Sequence, residues 1–490
     1  MSELMALLPA WPWIDPARVD PRWIQLTSWF FIGYFALLTL ANVVLNLIAL
    51  RVIGREAAEN EIAALADYSA GLEPGISILV PAYNEAATIA AAVRSMLQLD
   101  YPDFEVIVCN DGSKDDTLAV LRREFGLQRF PEAYRRSVPV AEVRGLWRSP
   151  QHPQLIVVDK VNGGRSDAIN AALNASHHGL VCVVDADSVL ERSSLKRVVR
   201  PFMQDRRVVA CGGTVRLSNG CDIAQGHLSR VEVPDNWLAR IQVVEYLRGF
   251  LYGRLGWAPM NALLIISGAF GVFRRAALIE AGGLSTRTIG EDMELTMRLH
   301  RIHRLQQRDY RIAFVADANV WTEAPETTKV LRSQRVRWQR GQLECLWTHR
   351  RMMLNPRAGA VGWMAMPFAL LFEALAPIVE ALGYVVLGVL AASGLLAWQS
   401  FVAFLLLALG AGMMLSANAL LLEELAFRTY TRPRHLLQLL GAIVAENFGY
   451  RQLTVWWRLV GIAQWLSGRK QVWGEMTRRG STPAAGSPPP

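Results

Sequence analysis

The stretch Val181–Leu190, VCVVDADSVL, closes an apolar run with two carboxylates, Asp185 and Asp187, one small residue apart. On an extended chain residues two apart face the same side, here about 7 Å from each other. Like charges held that close ask for a cation or a shared proton. A divalent ion that prefers oxygen ligands is one answer. A solvated turn in which Asp187 and Ser188 cap the next helix is the other. A second acidic pair, Glu291-Asp292, opens a segment in which Leu295, Leu299 and Ile302 fall on one helical face. There a carboxylate either complements the helix macrodipole or serves as a general base. Lys160 and Arg165 flank Gly163-Gly164. They offer positive charge to phosphates, or they cap and solvate a helix start. Gln334, Arg337 and Trp338, spaced i, i+3, i+4, share a helical face. An arginine can fork onto a phosphate, and a tryptophan offers a flat apolar face to a sugar ring. With Arg332, Arg335 and Arg340 nearby, the same helix also reads as a membrane-surface anchor.

These residues need a scaffold that brings them together. Residues 76–80, 104–109 and 155–159 and the run before Asp185 read as four short buried strands, with helical patterns between them. Such a βαβ series predicts a mostly parallel sheet, with ligands beyond the carboxyl ends of the strands. The polar clusters PAYNEA, NDGSKDDT, KVNGGRSD and DADS follow those four strands, at their carboxyl ends. PAYNEA follows the first strand, so no GxGxxG stands there, and no GxxxxGK[ST] occurs. A nucleotide on this sheet is therefore held by side chains and a metal. Asp111 can accept from a base N–H or a ribose hydroxyl. Asp185 and Asp187 can hold Mg2+ or Mn2+ against a diphosphate.

At 490 residues the chain exceeds one ordinary domain, and 52% of it is hydrophobic. Residues 27–50 carry no charge and are long enough to cross a bilayer; they lack the features of a cleaved signal peptide. Residues 362–397, interrupted by Pro367, Glu373, Pro377 and Glu380, and residues 401–422 are further expected spans. Residues 436–466, broken by Glu446, Arg451 and Arg458, are expected to be interfacial or re-entrant. Intramembrane carboxylates suggest a polar path for a polymer or an interhelical pair. The net charge is +8, and arginines flank the apolar regions. That predicts a cytoplasmic middle region and partners such as anionic lipid or a phosphate-bearing substrate, not nucleic acid. Five cysteines without a CxxC pair predict free thiols in a reducing compartment. The expected organisation is an interfacial segment 1–26, a span 27–50, a linker 51–75, a catalytic domain 76–325, an interface helix region 326–358, membrane helices 359–466 and a tail 467–490.

In order, the chain carries VPAYNEA, NDGSKDDT, KVNGGRSDAIN, DADS, SGAFGVFRR, GEDMELTMRL, WTEAPET and QRVRW. Over about residues 76–341 it resembles membrane-embedded family 2 glycosyltransferases. Polymerising members of that family include chitin, hyaluronan, cellulose and poly-N-acetylglucosamine synthases, and the last group is similar also in its short N-terminal part and its spans. The resemblance implies an α/β GT-A fold flanked by transmembrane and interfacial helices. It implies an inverting enzyme of the inner (plasma) membrane that polymerises a β-linked polysaccharide from UDP-GlcNAc or UDP-Glc and passes it outward, with accessory export proteins as possible partners. Asp292 would be the base, beside Glu291. Ala82, Tyr83, Glu85 and Asp111 would contact uridine, and Lys160, Arg165 and Arg337 the phosphates. Asp185 and Asp187 would hold the metal, Asp187 more directly, and Gln334 and Trp338 the acceptor. Two motifs depart from the family pattern: Asn110-Asp111-Gly112 stands for Asp-Asp-Gly, and Gly290-Glu291-Asp292 for Thr-Glu-Asp. No FxVTxK-like gating segment or PilZ-like domain follows QRVRW, so direct cyclic-di-GMP control through such a domain is not expected. A non-processive transferase acting on a lipid or small acceptor, and a transport or scaffold subunit with a degenerate domain, are the alternatives.

Overall fold

The computed structural model describes residues 20–65, 72–131, 136–224, 227–395 and 398–468. Residues 1–19 of the expected interfacial segment, 66–71 of the linker and 469–490 of the tail lie outside the described residues.

Twelve strands are described: β1 (Ile76–Ala82), β2 (Phe104–Asp111), β3 (Gln128–Phe130), β4 (Val143–Arg148), β5 (Leu155–Lys160), β6 (Leu180–Val184), β7 (Val189–Leu190), β8 (Val208–Leu217), β9 (Asp222–Ala224), β10 (His227–Arg230), β11 (Phe270–Arg274) and β12 (Arg311–Thr322). Ten form one sheet in the order β3-β4-β5-β2-β1-β6-β11-β8-β12-β7, and β9 pairs with β10 separately. The centre, β5-β2-β1-β6, is parallel throughout. These strands are apolar without alternation because both faces are covered. The small residues of the helix Arg165–Ala175, nearly all buried, let it pack closely on β1 and β2. β11 runs antiparallel between β6 and β8, and β12 returns parallel to β8. The sheet is thus mixed, although β1, β2, β3, β5, β6, β8 and β12 point one way.

The chain leaves β1 towards β2 and β5 on one side, then crosses to β6 on the other. This reversal opens a crevice at the carboxyl ends of β1 and β6. Asp185 follows the end of β6 directly. The expected helix cap at Asp187-Ser188 is not formed: β7 comes next, and the following helix begins only at Ser194.

Among the described residues one helical stretch, Arg22–Arg55, is long and apolar enough to cross a membrane. Val361–Ala374 and Ala376–Ala392, bent by 40°, pass the same test as a pair. The expected span 401–422 forms the long helix Trp398–Ala426, several of whose side chains lie outside the described residues. Residues 436–466 break into Pro433–Ala445 and Arg451–Leu466 around non-helical Phe448 and Gly449. Glu380 accepts from Arg451 at 2.9 Å, so this carboxylate ties the bent pair to the last helix. Ion pairs also bind the C-terminal helices to the sheet domain. Arg216 of β8 meets Glu423 at 2.9 Å with both side chains almost fully buried, and Glu232 receives Arg432 at 2.5 Å and His435 at 2.7 Å.

Candidate active site

The ends of β1 and β2 are laced together by their loops. The Asn84 amide donates to Ser113 Oγ at 3.0 Å, and Asn84 Oδ1 accepts from the Lys114 amide at 2.8 Å. The Glu85 amide donates to Thr117 Oγ1 at 2.9 Å. Ala82 is buried in this corner and Tyr83 stands exposed at its rim. Gly112 has φ +63°, and a Cβ there would lie 2.7 Å from the Asn162 amide nitrogen. Only glycine lets the β2 and β5 loops approach so closely.

Asp111 is buried and already engaged. Its Oδ1 accepts from Lys160 Nζ at 2.5 Å and from the Gly163 amide at 2.9 Å, and its Oδ2 accepts from the Gly164 amide at 2.8 Å. Lys160 is fully buried between Asp111 and Asp167, the latter at 2.6 Å. Burial opposes its charge, but the two carboxylates outweigh it and raise its pKa. Lys160 therefore does not reach towards a phosphate, as the sequence suggested. It clamps the Gly163-Gly164 turn to β2.

Arg165, released from that turn, is the hub of the site. Its Nε and Nη2 donate to Asp185 Oδ1 at 2.9 and 2.7 Å, its Nη1 to Glu291 Oε1 at 2.6 Å, and its Nη2 also to the Gly268 carbonyl at 2.8 Å. One guanidinium thus joins the end of β6, the start of the helix Glu291–Leu305 and the loop before β11. Burial works against its charge, but Asp185 and Glu291 hold it protonated far above the usual arginine range. The Gly268 amide donates to Asp292 Oδ2 at 3.2 Å, and the Met293 amide to Oδ1 at 2.8 Å. Glu291 is buried; burial raises its pKa, and the neighbouring Asp292 charge adds to this against the pull of Arg165. Sequence reasoning gave Gly268 no role, although it lies inside the SGAFGVFRR motif that pointed to it.

Asp185 and Asp187 lie in a turn closed by the Ser188 amide donating to the Asp185 carbonyl at 3.1 Å, and both are partly exposed while Ala186 and Ser188 are buried. All the Arg165 contacts to Asp185 use Oδ1, leaving Oδ2 outside that fork. Among the described residues no three His, Cys, Asp or Glu side chains form a ready metal cluster. Two partly exposed carboxylates in one turn have the oxygen chemistry for an ion that takes its remaining ligands from a diphosphate and water.

The helix Thr328–Thr348 closes the site from above. Gly290 and Gly341 meet so closely that a Cβ on Gly341 would lie 3.1 Å from the Gly290 nitrogen. The Ile289 amide donates to Glu344 Oε2 at 3.2 Å. The helix Arg451–Leu466 packs on the same element, with a Cβ at Gly461 only 2.9 Å from the Val336 carbonyl. Burial lowers the pKa of Arg337, against the opposing charges of Glu291, Asp185 and Asp292, which puts Arg337 within their electrostatic reach. Trp338 is exposed, with Arg335 over its ring at 4.8 Å. Gln334 Oε1 is buried without a hydrogen-bond partner among the described residues. The anchor reading fails for two of its three arginines: Arg335 pairs with Glu245, and Arg340 with Glu344 at 2.8 Å. Both turn inward because their partners lie on the protein side.

Residues 77–281 match the family Glycosyl transferase family 2, and residues 180–420 match Glycosyl transferase family group 2. Both matches are to glycosyltransferase families, and residues 77–281 carry the family 2 match. The chain is homologous to poly-beta-1,6-N-acetyl-D-glucosamine synthases. That of Staphylococcus epidermidis is 29% identical over 272 residues, 56% of this chain and 55% of the relative. That of Staphylococcus aureus strain COL is 28% identical over 273 residues, again 56% and 55%. The chain spans about half the length of the curated relatives it matches. A solved mannosyltransferase from Pyrobaculum calidifontis, in complex with GDP-Man and Mn2+, is 17% identical with a TM-score of 0.45, covering 87% of this chain and 100% of that one.

Proposed function

We propose that the chain is an inverting, GT-A-type transferase that moves a sugar from a UDP-sugar, UDP-GlcNAc or UDP-Glc, onto the end of a β-linked polysaccharide. The observation that carries this reading is the Arg165 hub, which holds Asp185 and Glu291, with Asp292 beside it, around one crevice at a strand-order reversal. Asp292 is the base. It takes the proton from the acceptor hydroxyl as that oxygen attacks the anomeric carbon. Its amide contacts fix the carboxylate, and Glu291 acts by holding Arg165. Asp187 and Asp185 would hold Mg2+ or Mn2+, which when bound offsets charge on the departing diphosphate. Arg337 adds positive charge on the donor side. Tyr83 and the loop around Glu85 line the uridine end. Asp111 and Lys160 position that end from beneath, through the Gly163-Gly164 turn.

Homology to poly-beta-1,6-N-acetyl-D-glucosamine synthases favours UDP-GlcNAc and a polymer product. Trp338, held from one side by Arg335, presents its other face as a sugar platform. The contact from Gly290 through the Trp338 helix to the last helix supports a hand-over from the catalytic site towards a membrane. We place the helix Arg22–Arg55 and the C-terminal helices in the plasma membrane, with the catalytic domain cytoplasmic and accessory export proteins as possible partners. The test is UDP release by purified full-length chain from each of several UDP-sugars, before and after chelation. Release from one donor, lost in chelator and restored by Mn2+ or Mg2+, supports the reading. No release from any donor overturns it.

A further inference from the structure

Asp292 stands on the first turn of the helix Glu291–Leu305, and Gly290 before it has no side chain with which to cap that turn. The turn is held from two sides instead. On the sheet side Arg165 Nη1 donates to Glu291 Oε1 at 2.6 Å. On the other side the helix Thr328–Thr348 grips the two residues that lead into it. Glu344 Oε2 accepts from the Ile289 amide at 3.2 Å, and Cys345 Sγ donates to the Gly290 carbonyl at 3.3 Å. Arg340 Nε, one helical turn back, donates to the other Glu344 oxygen at 2.8 Å and so fixes the carboxylate in place. Only 18% of the Glu344 side chain is exposed, which shelters the amide contact from competing water. A Cβ on Gly341 would stand 3.1 Å from the Gly290 nitrogen and 3.2 Å from its Cα, so nothing separates the two backbones. Two turns further on, His349 Nε2 meets Glu294 Oε1 at 3.2 Å, with both side chains buried. Trp338 precedes Gly341 by three residues on the same stripe of the helix.

We propose that Glu344 is a positioning residue for Asp292: from the helix that carries Trp338, it holds the Ile289 amide and thereby sets the turn on which the base stands. Ile289 has no chemistry of its own, so the contact acts through the backbone. Without the carboxylate the turn is free to pivot at Gly290, where the missing Cβ leaves the backbone permissive. Asp292 then swings relative to the acceptor hydroxyl. A misplacement of about 1 Å is enough to cost ~10²-fold in rate. The same contact keeps the base at a fixed separation from Trp338. This deepens the proposed transfer reaction and rests on it.

The test uses full-length chain in nanodiscs, with UDP release, UDP titration, thermal unfolding and amide exchange of the segment around Ile289 read on each variant. Glu344→Ala should lower kcat ~10–100-fold. UDP Kd should stay within about 2-fold, because no donor contact is lost. The Ile289 amide should exchange faster. Glu344→Gln keeps an oxygen for that amide, so it should recover most of the lost kcat and restore slow exchange. A residue that merely stabilised the fold would not separate kcat from UDP affinity in this way. Unchanged kcat in Glu344→Ala overturns the assignment. So does a fall in Tm with equal losses of kcat and UDP affinity, or a Glu344→Gln variant as slow as Glu344→Ala. If the wild-type chain releases no UDP from any donor, the transfer reading itself fails, and the role of Glu344 falls with it. An active wild type with a fully active Glu344→Ala sinks the Glu344 assignment alone.

Discussion

Lys160→Met separates an anchoring lysine from a phosphate-binding one. The ammonium is fully buried, and the carboxylates of Asp111 and Asp167 beside it are 4% and 10% exposed. The methionine fills much of the same volume but leaves two buried carboxylates facing each other. Breaking a buried pair by removing one partner costs ~3–5 kcal/mol. Asp111 keeps its bonds from the Gly163 and Gly164 amides, so the value belongs within that range and not at twice it. At 2–4 °C per kcal/mol for a domain of this size, thermal unfolding should fall by roughly 6–20 °C. The loss should depend on pH in a definite direction. Without the lysine, at least one carboxyl has its folded pKa raised above its unfolded value. The protonated form then favours the fold, so the deficit is smallest at acid pH and grows as pH rises through the folded pKa. Thermal unfolding of the full chain between pH 5 and 8, together with UDP titration, reads both effects. A variant with wild-type Tm but weakened UDP binding would refute the reasoning and return Lys160 to the phosphates.

Three further outcomes follow from the same geometry. Asp292→Asn removes a base and little volume, so UDP binding should persist while turnover falls ~10²–10⁴-fold; stopped assays beside UDP calorimetry check this. Trp338→Ala should shorten or abolish polymer with UDP affinity nearly unchanged, as read by product sizing, and long polymer from this variant would leave the helix without a platform role. His300 is fully buried, bonded to Tyr310 Oη at 2.6 Å and to the Leu263 carbonyl at 2.8 Å, and burial pushes it down to about 4. The unfolded chain takes up that proton near pH 6.5 and the folded chain only near 4, so stability should drop by roughly 3 kcal/mol across this window. His300→Gln should flatten that part of the pH–Tm curve.

The four central strands and the polar clusters at their ends were readable because each is local: an apolar run, then a turn motif. The second half of the sheet was not. β11 is five residues inside a motif quoted for chemistry, and its antiparallel placement depends on β6 and β8, far away in sequence. Side-chain roles failed where a partner is distant. Lys160 and Asp111 are 49 residues apart, and Arg335 and Glu245 are 90 apart. No helical periodicity reveals such pairs, so both cations were assigned outward tasks. Strand alternation did not extend to Asp185 and Asp187: β6 stops at Val184, and the Ser188 amide donates to the Asp185 carbonyl at 3.1 Å, so the pair sits in a strand-to-loop turn.

The central claim is transfer from a UDP-sugar at Asp292, repeated on one acceptor. The direct measurement is to incubate membranes containing the full chain, or its Asp292→Asn variant, with single labelled UDP-sugars and size the labelled product. The account predicts polymer from one donor, UDP-GlcNAc first among them, with the wild-type chain and none with the variant. Polymer from both, or only singly extended small acceptors from the wild type, would contradict it.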